Sequence, residues 1–124
     1  MNSSASYSKA ERLKSRKAIQ HLFESGSSQF QYPIKFVFRI FPASEERPAV
    51  RAGVSVSKRN FKKAVDRIRI KRQLRELFRL HKQRLYHQLN DDQHMDLMII
   101  FVGKQAEPYQ KMEKAYLQVI DSLV

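Results

Sequence analysis

One basic segment with helical periodicity restricts the fold of this chain more than any other feature. Between Lys58 and Arg84 it carries twelve lysines and arginines against two acidic residues, a net charge of +10 out of +12 for all 124 residues. Charge this dense repels itself, and it usually persists because an anionic partner neutralises it. The segment is therefore expected to bury one side against a core and to present its cations to that partner.

The spacing of apolar residues predicts a helix over residues 64–89. At about 100° per residue from Ile70, a stripe suited to packing against a core contains Ile70, Leu74, Leu77, Phe78, His81 and Leu85. Beside it, roughly 16 Å long at 1.5 Å per residue, lies a cationic ridge formed by Lys71, Arg72, Arg75, Arg79 and Lys82. Glu76 is expected to pair with Lys71 or Arg72. Ile68 also falls on the ridge, where no packing argument explains an isoleucine.

The rest of the composition narrows the class of protein. The chain has no cysteine, which excludes disulfides, thiolate metal sites and cysteine nucleophiles. No apolar run approaches the ~20 residues of a membrane span, and the longest, Leu97–Val102, suits a buried strand. The first eight residues are polar and serine-rich, without the apolar core of a signal peptide, and they are predicted to be disordered. We expect one soluble cytoplasmic domain over residues 1–124.

The remaining patterns predict a small single-domain α+β sandwich with the element order αβββαβα. Ser15 is placed to cap the first helix, and Ser25-Gly26 to end it. Small residues on one face of the third strand leave room for something to lie across the sheet. Besides the basic helix, the predicted elements are a helix over Arg16–Glu24, a short strand near Gln29–Tyr32, strands over Pro33–Phe41, Arg51–Ser57 and Met95–Val102, and a last helix opened by Pro108.

Charge by itself allows three kinds of partner: a nucleic acid, an anionic membrane surface or an acidic protein. The basic helix lacks the broad exposed apolar face of a membrane-surface helix, so a polyanion is favoured, with RNA and DNA undistinguished. The four histidines show no metal-ligand spacing, and Asp91, Asp92 and Asp96 are expected in a solvated loop. No metal site and no catalytic residue is predicted in this chain.

A longer motif selects among these partners. The stretch from Ser57 to Glu76, SKRNFKKAVDRIRIKRQLRE, resembles the signature of the bacterial ribonuclease P protein family, in which a strand ending VSK(K/R) leads into a basic loop and then RNRIKRxxRE. The likeness extends over nearly the whole chain, through Arg12-Leu13-Lys14, Phe23-Glu24-Ser25-Gly26 and the strand near Asp96. It departs from the family at Ile68, which stands where the family has an asparagine able to hydrogen-bond RNA or hold a hydrated metal ion.

The resemblance implies the non-catalytic protein subunit of an endonuclease, a hydrolase that removes the 5′ leader from precursor tRNA. The chemistry is then expected of the ribonuclease P RNA with Mg²⁺ bound mainly by the RNA and the substrate, and the partners are that RNA and precursor tRNA. The family also implies a mixed sheet with the basic helix in a left-handed β-α-β crossover. The expected RNA contacts are Lys58, Arg59, Lys62, Lys63, Arg67, Arg69, Lys71, Arg72 and Arg75.

The family implies a second site, a cleft between the first helix and the sheet that holds the single-stranded leader. Such strands are held by aromatic stacking along a cationic track, which makes Ile19, Phe23, Phe36 and Phe38 the candidates. A register shifted by one residue, or plain core packing, would remove Phe36 and Phe38 from the cleft, and both alternatives stay open. A structural protein of the ribosomal type, which clamps folded RNA and needs no such cleft, is the competing function.

Overall fold

Four strands form one mixed sheet in the computed structural model, which describes residues 6–123. The sheet order is β1-β2-β4-β3, with β3 and β4 parallel and the other neighbours antiparallel. This confirms the α+β class and the predicted element order. The elements are α1 (Arg16–Ser25), β1 (Ser27–Gln31), β2 (Ile34–Pro42), β3 (Val50–Val56), α2 (Ala64–Tyr86), β4 (Gln93–Phe101) and α3 (Tyr109–Asp121), preceded by a 3₁₀ turn over Lys9–Glu11.

The basic helix is the crossover between the two parallel strands. Parallel neighbours need a connection long enough to return to the same end of the sheet, and α2 supplies it between β3 and β4. Its left-handed sense stays a prediction from the resemblance. No helix in the described range is both long and apolar enough to cross a membrane.

The two faces of the sheet carry cores of different size. The larger core joins α2 and α3 to one face, through Phe36, Leu97, Leu74 and Tyr116 among others. The smaller core lies under α1 on the opposite face, and it consists of Leu13, Leu22, Val37 and Met98. Because side chains alternate between faces along a strand, Val37 faces α1 while its neighbours Phe36 and Phe38 face α2 and α3.

Both ends of α1 follow the predicted chemistry. The Ser15 side chain accepts a hydrogen bond from the amide of Ala18 at 3.2 Å, which caps the helix. At the other end a Cβ on Gly26 would lie 2.4 Å from the carbonyl oxygen of Leu22 and 2.9 Å from that of Phe38. Only glycine therefore allows the chain to turn from α1 into β1 this close to the sheet.

The prediction of disorder over residues 1–8 covers residues 1–5, which lie outside the described range, and is wrong at Tyr7 and Ser8. The Tyr7 ring packs edge-on against Phe78 of α2 at 5.1 Å, and its hydroxyl donates to the carbonyl of Ala52. Ser8 donates from its amide and its hydroxyl to the Glu11 carboxylate, at 2.9 and 3.0 Å. The N-terminal segment is thus packed along α2 and the edge of β3.

Because of that packing, one end of the predicted cationic ridge is not exposed. Lys82 was predicted on the ridge, but its side chain is buried, and its ammonium lies 2.9 Å from both carboxylate oxygens of Glu11. The N-terminal segment covers this part of α2, which the helical period alone does not reveal. Glu76 also pairs differently from the prediction, because Arg79 Nε donates to it at 3.0 Å in place of Lys71 or Arg72.

Candidate nucleic-acid interface

The loop between β3 and α2 holds four of the predicted RNA-binding cations in a defined conformation. The hydroxyl of Ser57 accepts hydrogen bonds from the amides of Arg59 and Asn60, at 3.1 and 3.4 Å. Phe61 is buried, with its ring 5.8 Å from that of Phe101, and so fastens the loop to the core. The loop cations are left at the surface, and they are Lys58, Arg59, Lys62 and Lys63.

The cations of α2 have three different environments. Arg69 and Arg72 are exposed and Lys71 is half-buried, all on the ridge side. Arg67 is turned inward, because its guanidinium donates to the carbonyls of Phe61 and Lys62 at 2.6 and 3.0 Å. Its first role is therefore to tie the loop to the helix, although it was predicted as an RNA contact. Arg75 lies beside the groove described below.

Within residues 6–123, no acidic side chain pairs with these cations. In the described part of the chain, none of the nine predicted RNA-binding lysines and arginines forms an ion pair. Several acidic side chains instead pair with other cations, for example Glu11 with Lys82 and Asp96 with Arg47. The nine cations thus form one cationic surface that keeps its charge for an external polyanion, whereas the ridge residues Arg79 and Lys82 are paired with Glu76 and Glu11.

Ile68 lies in the middle of that surface and is 53% exposed. The helical wheel placed it there, and the structure confirms the position. An isoleucine can neither donate to a phosphate nor hold a hydrated ion, so any contribution of Ile68 to RNA binding is limited to apolar contact with a sugar or a base. Val65, one turn earlier, is 68% exposed and extends the same apolar spot.

A groove of about 520 Å³ opens between the N-terminal segment, α1, β3 and α2; we call it the α1 groove. Three cations line it, Arg12, Lys14 and Arg75, together with the side chain of Ile19. Its floor includes Gly53, where a Cβ would lie 2.7 Å from the Met98 sulfur. Because Gly53 has no side chain, the groove stays open above β3. This agrees with the prediction that the small residues of this strand face leave room for a ligand.

Tyr7 forms part of the wall of the α1 groove. Burial raises the pKa of its hydroxyl, and the nearby guanidinium groups of Arg75 and Arg12 oppose this only in part. The Arg12 guanidinium also lies over the Tyr7 ring, 5.3 Å from its centroid. The nearby Glu11 carboxylate also raises this pKa. The tyrosine therefore stays neutral at physiological pH and adds no negative charge beside the two guanidinium groups.

The predicted cleft residues divide between the two faces of the sheet. Ile19 lines the α1 groove, and Phe23, one turn later on α1, is 52% exposed. Phe36 and Phe38 were wrongly assigned to the cleft, because both are buried on the opposite face, where the Phe36 ring meets Tyr116 of α3 at 5.2 Å. The residues of β2 that face α1 are those that alternate with them, namely Lys35, Val37 and Arg39.

Sequence reasoning missed the groove residues Tyr7, Arg12 and Lys14, since all three precede the first predicted element, the helix that begins at Arg16. The likeness to the family over Arg12-Leu13-Lys14 was the available signal. Asp96 was also misplaced: it is a buried residue of β4, 3.1 Å from the Arg47 guanidinium, and not part of a solvated loop. In residues 6–123 no group of three or more His, Cys, Asp or Glu side chains is placed to hold a metal ion.

Comparisons with known proteins agree with this geometry. A family model described as Ribonuclease P matches residues 7–123. The ribonuclease P protein component of Porphyromonas gingivalis is 36% identical over 110 residues, which cover 87% of this chain and 79% of that protein. The component of Idiomarina loihiensis is 38% identical over 88 residues, 68% of this chain and 66% of that protein.

Solved structures share the fold. The RNase P protein of Staphylococcus aureus superposes with a TM-score of 0.69 at 25% identity, covering 91% of this chain and 94% of that one. The RNase P protein of Thermotoga maritima gives a TM-score of 0.70 at 22% identity, with 92% and 98% covered. The similarity therefore includes the α1 side of the sheet as well as the α2 side.

Proposed function

This chain belongs to the ribonuclease P protein family, and from that premise we propose that it binds the catalytic RNA of ribonuclease P and the 5′ leader of precursor tRNA on two different surfaces. Family membership makes it a protein component of a tRNA-processing endoribonuclease. The resemblance implies a separate cleft for the leader, and the arrangement of charge and grooves supports that division between the two surfaces.

The observation that carries the proposal is the cationic surface of α2 and its preceding loop. Its nine cations form no ion pair within residues 6–123, while the opposite side of the helix is core. A protein that neutralises several phosphates releases their counterions, and this supplies a large, salt-dependent part of the affinity. We assign this surface to the folded catalytic RNA, whose closely spaced phosphates match a ridge of cations.

We assign the α1 groove to the unpaired leader. Single strands are bound by a positively charged track with side chains on which bases stack. The groove offers the track in Arg12, Lys14 and Arg75, and α1 offers Phe23 as an exposed ring. Ile19 can contact a base but cannot stack as a ring does. Arg75 belongs to both surfaces, because it lies on the ridge and also lines the groove. A leader in the groove would therefore lie beside the catalytic RNA on the ridge, and the other two groove cations, Arg12 and Lys14, would serve the leader alone.

The chemical step is proposed for the RNA and not for this chain. The side chains of residues 6–123 do not fit a resident Mg²⁺, because no three His, Cys, Asp or Glu side chains come together there to hold one. We propose that the Mg²⁺ expected for the reaction is held by the RNA and the substrate. The protein's residues would hold the two RNAs in place and lower their mutual repulsion with fixed positive charge.

Reconstitution tests the proposal. Cleavage of precursor tRNA by the cognate ribonuclease P RNA is measured at low Mg²⁺ with and without the protein, and the affinities for precursor and mature tRNA are compared. We expect the protein to increase cleavage and to increase affinity for the precursor more than for the mature tRNA. A protein that binds both tRNAs equally and does not assist cleavage would instead fit the structural RNA clamp, and the proposal would fail.

A further inference from the structure

The edge strand β1 carries an aromatic side chain that no core uses. Phe30 is 58% exposed and pairs directly with Lys35 of β2. Lys35 in turn pairs with Ile100 of β4, and Ile100 with Ser55 of β3. Directly paired residues point to the same side of a sheet, so the four side chains form one row across all four strands.

This row lies on the α1 side of the sheet. Lys35 alternates with Ile34 and Phe36, which belong to the core under α2 and α3. Ile100 packs against the small core under α1, as does Ile19, a residue of the α1 groove. The row is two residues along the strands from the row that contains Val37, Met98 and Gly53, or about 7 Å. One nucleotide of an extended strand spans such a distance.

The exposed ring of Phe30 suggests that a binding partner covers it. A large apolar side chain on an uncovered edge strand invites unwanted pairing and is usually avoided, and nothing in the described part of the chain covers it. Lys35 stands beside it and forms no ion pair with any residue of that part. A ring flanked by an unpaired lysine is what a stacked base and its phosphate require.

We propose that Phe30 and Lys35 form an additional binding position for single-stranded RNA, at which a base of the 5′ leader stacks on the Phe30 ring and its phosphate contacts Lys35. The proposal rests on the proposed function and deepens it, because it extends the leader path from the α1 groove to the β1 edge. Charge complementarity selects RNA over an apolar partner: the chain carries a net charge of +12, and the row itself holds a cation and no acidic side chain.

The same hairpin provides a matched control. Tyr32 is 42% exposed and follows β1 directly, but its hydroxyl donates to Glu107 of the segment before α3 at 3.2 Å, and the Lys111 ammonium lies 5.4 Å from its ring centroid. It is therefore an aromatic of similar exposure on the α3 side of the hairpin. Replacing Tyr32 removes a ring without touching the proposed leader path.

The experiment uses the reconstituted holoenzyme with precursor tRNAs that differ only in leader length, one leader ending within the α1 groove and one continuing past it. For the wild type we expect tighter binding of the long-leader precursor. Phe30→Ala should weaken binding of the long-leader precursor roughly tenfold. Its affinity for the short-leader precursor and its unfolding midpoint should be unchanged. Phe30→Trp should keep the gain, Tyr32→Ala should behave as wild type, and Lys35→Gln should reduce the salt slope for the long leader by about one.

Other outcomes separate this inference from its premise. If the wild type gains affinity with leader length and Phe30→Ala keeps the whole gain, the Phe30 position is overturned while the proposed function stands. Equal losses for both leaders, or a change of self-association in sedimentation, would assign Phe30 to assembly or to a second copy and also overturn the inference. If even the wild type fails to assist cleavage of either precursor, the proposed function fails first.

Discussion

Replacing Lys82 with methionine should destabilise this protein far more than removing a cation from the ridge. Lys82 is 4% exposed, as is Glu11, and the ammonium donates to both carboxylate oxygens at 2.9 Å. Methionine keeps a long, unbranched side chain in place and removes the charge. The Glu11 carboxylate is then left buried without a counter-charge, although Tyr86 still donates to it at 2.6 Å and the Ser8 amide at 2.9 Å.

The size of the effect follows from that geometry. Breaking a buried ion pair by removing one partner costs about 3–5 kcal/mol. Because the Tyr86 and Ser8 hydrogen bonds remain, we expect the low end, about 3 kcal/mol, which for a domain of this size lowers Tm by roughly 12 °C. The double variant Glu11→Gln, Lys82→Met removes both charges and should recover most of the loss. Arg72→Met, an exposed and unpaired ridge cation, should stay within about 0.5 kcal/mol of wild type.

The pH dependence supplies a second signature of the same pair. Burial alone would raise the pKa of the Glu11 carboxyl, but hydrogen bonds from Tyr86, Lys82 and Ser8 outweigh it and hold the pKa below its ordinary value. A carboxyl with a lowered folded-state pKa stabilises the fold above its unfolded pKa, and this stability is lost as pH falls through the folded pKa. The stability difference between wild type and Lys82→Met should therefore shrink once Glu11 becomes protonated.

Urea unfolding of the wild type, Lys82→Met, Arg72→Met and the double variant measures these differences in unfolding free energy, provided that the slope with denaturant is unchanged. The reasoning is refuted if Lys82→Met lies within about 1 kcal/mol of wild type at neutral pH, since that is far below the loss for a broken buried pair. It is also refuted if the double variant is less stable than Lys82→Met, because the unpaired charge would then not be the cause.

Three further predictions concern the two faces of the sheet and the larger core. Reversing the charge of Arg69 and Lys71 should weaken binding of the catalytic RNA and flatten its salt dependence by about two in slope; an unchanged slope would remove these residues from the interface. Phe36→Ala should cost about 3–5 kcal/mol in unfolding, whereas Phe23→Ala should leave unfolding unchanged and weaken binding of precursor tRNA but not of mature tRNA. Tyr116→Phe removes a buried hydroxyl for which residues 6–123 offer no hydrogen-bond partner, so calorimetry should show a gain of roughly 1 kcal/mol, and a loss would reveal a missing partner.

The basic helix shows how far sequence periodicity reaches. Ile70, Leu74 and Leu85 are buried as the wheel predicted, because a helix that packs on a sheet buries one stripe whatever the sheet's order. The burial of Lys82 was not predicted because its partner, Glu11, is 71 residues away in the chain. Local period describes which side of a helix is polar, but not which polar residue a distant segment will cover.

Strand β2 shows a different limit. Both of its faces are partly apolar, and both are covered, one by α2 and α3 and one by α1. The larger core takes the more apolar set, which contains Phe36 and Phe38, while Val37 and its polar neighbours face α1. The candidate aromatics were assigned to the wrong face because a search for stacking rings favours phenylalanine, whereas burial decides where phenylalanine goes. The strand order was likewise not predictable, since it depends on contacts between distant segments.

Directed cleavage of RNA from two single-cysteine variants tests most directly the claim that opposite sides of the sheet bind different RNAs. The chain has no cysteine, so Ser28→Cys on the α1 side of β1 and Ile68→Cys on the ridge each accept one iron–EDTA tether. In the reconstituted complex, the Ser28 tether should cleave the 5′ leader and the Ile68 tether should cleave the catalytic RNA. Cleavage of the leader from Ile68, with none from Ser28, would contradict the assignment of the two surfaces.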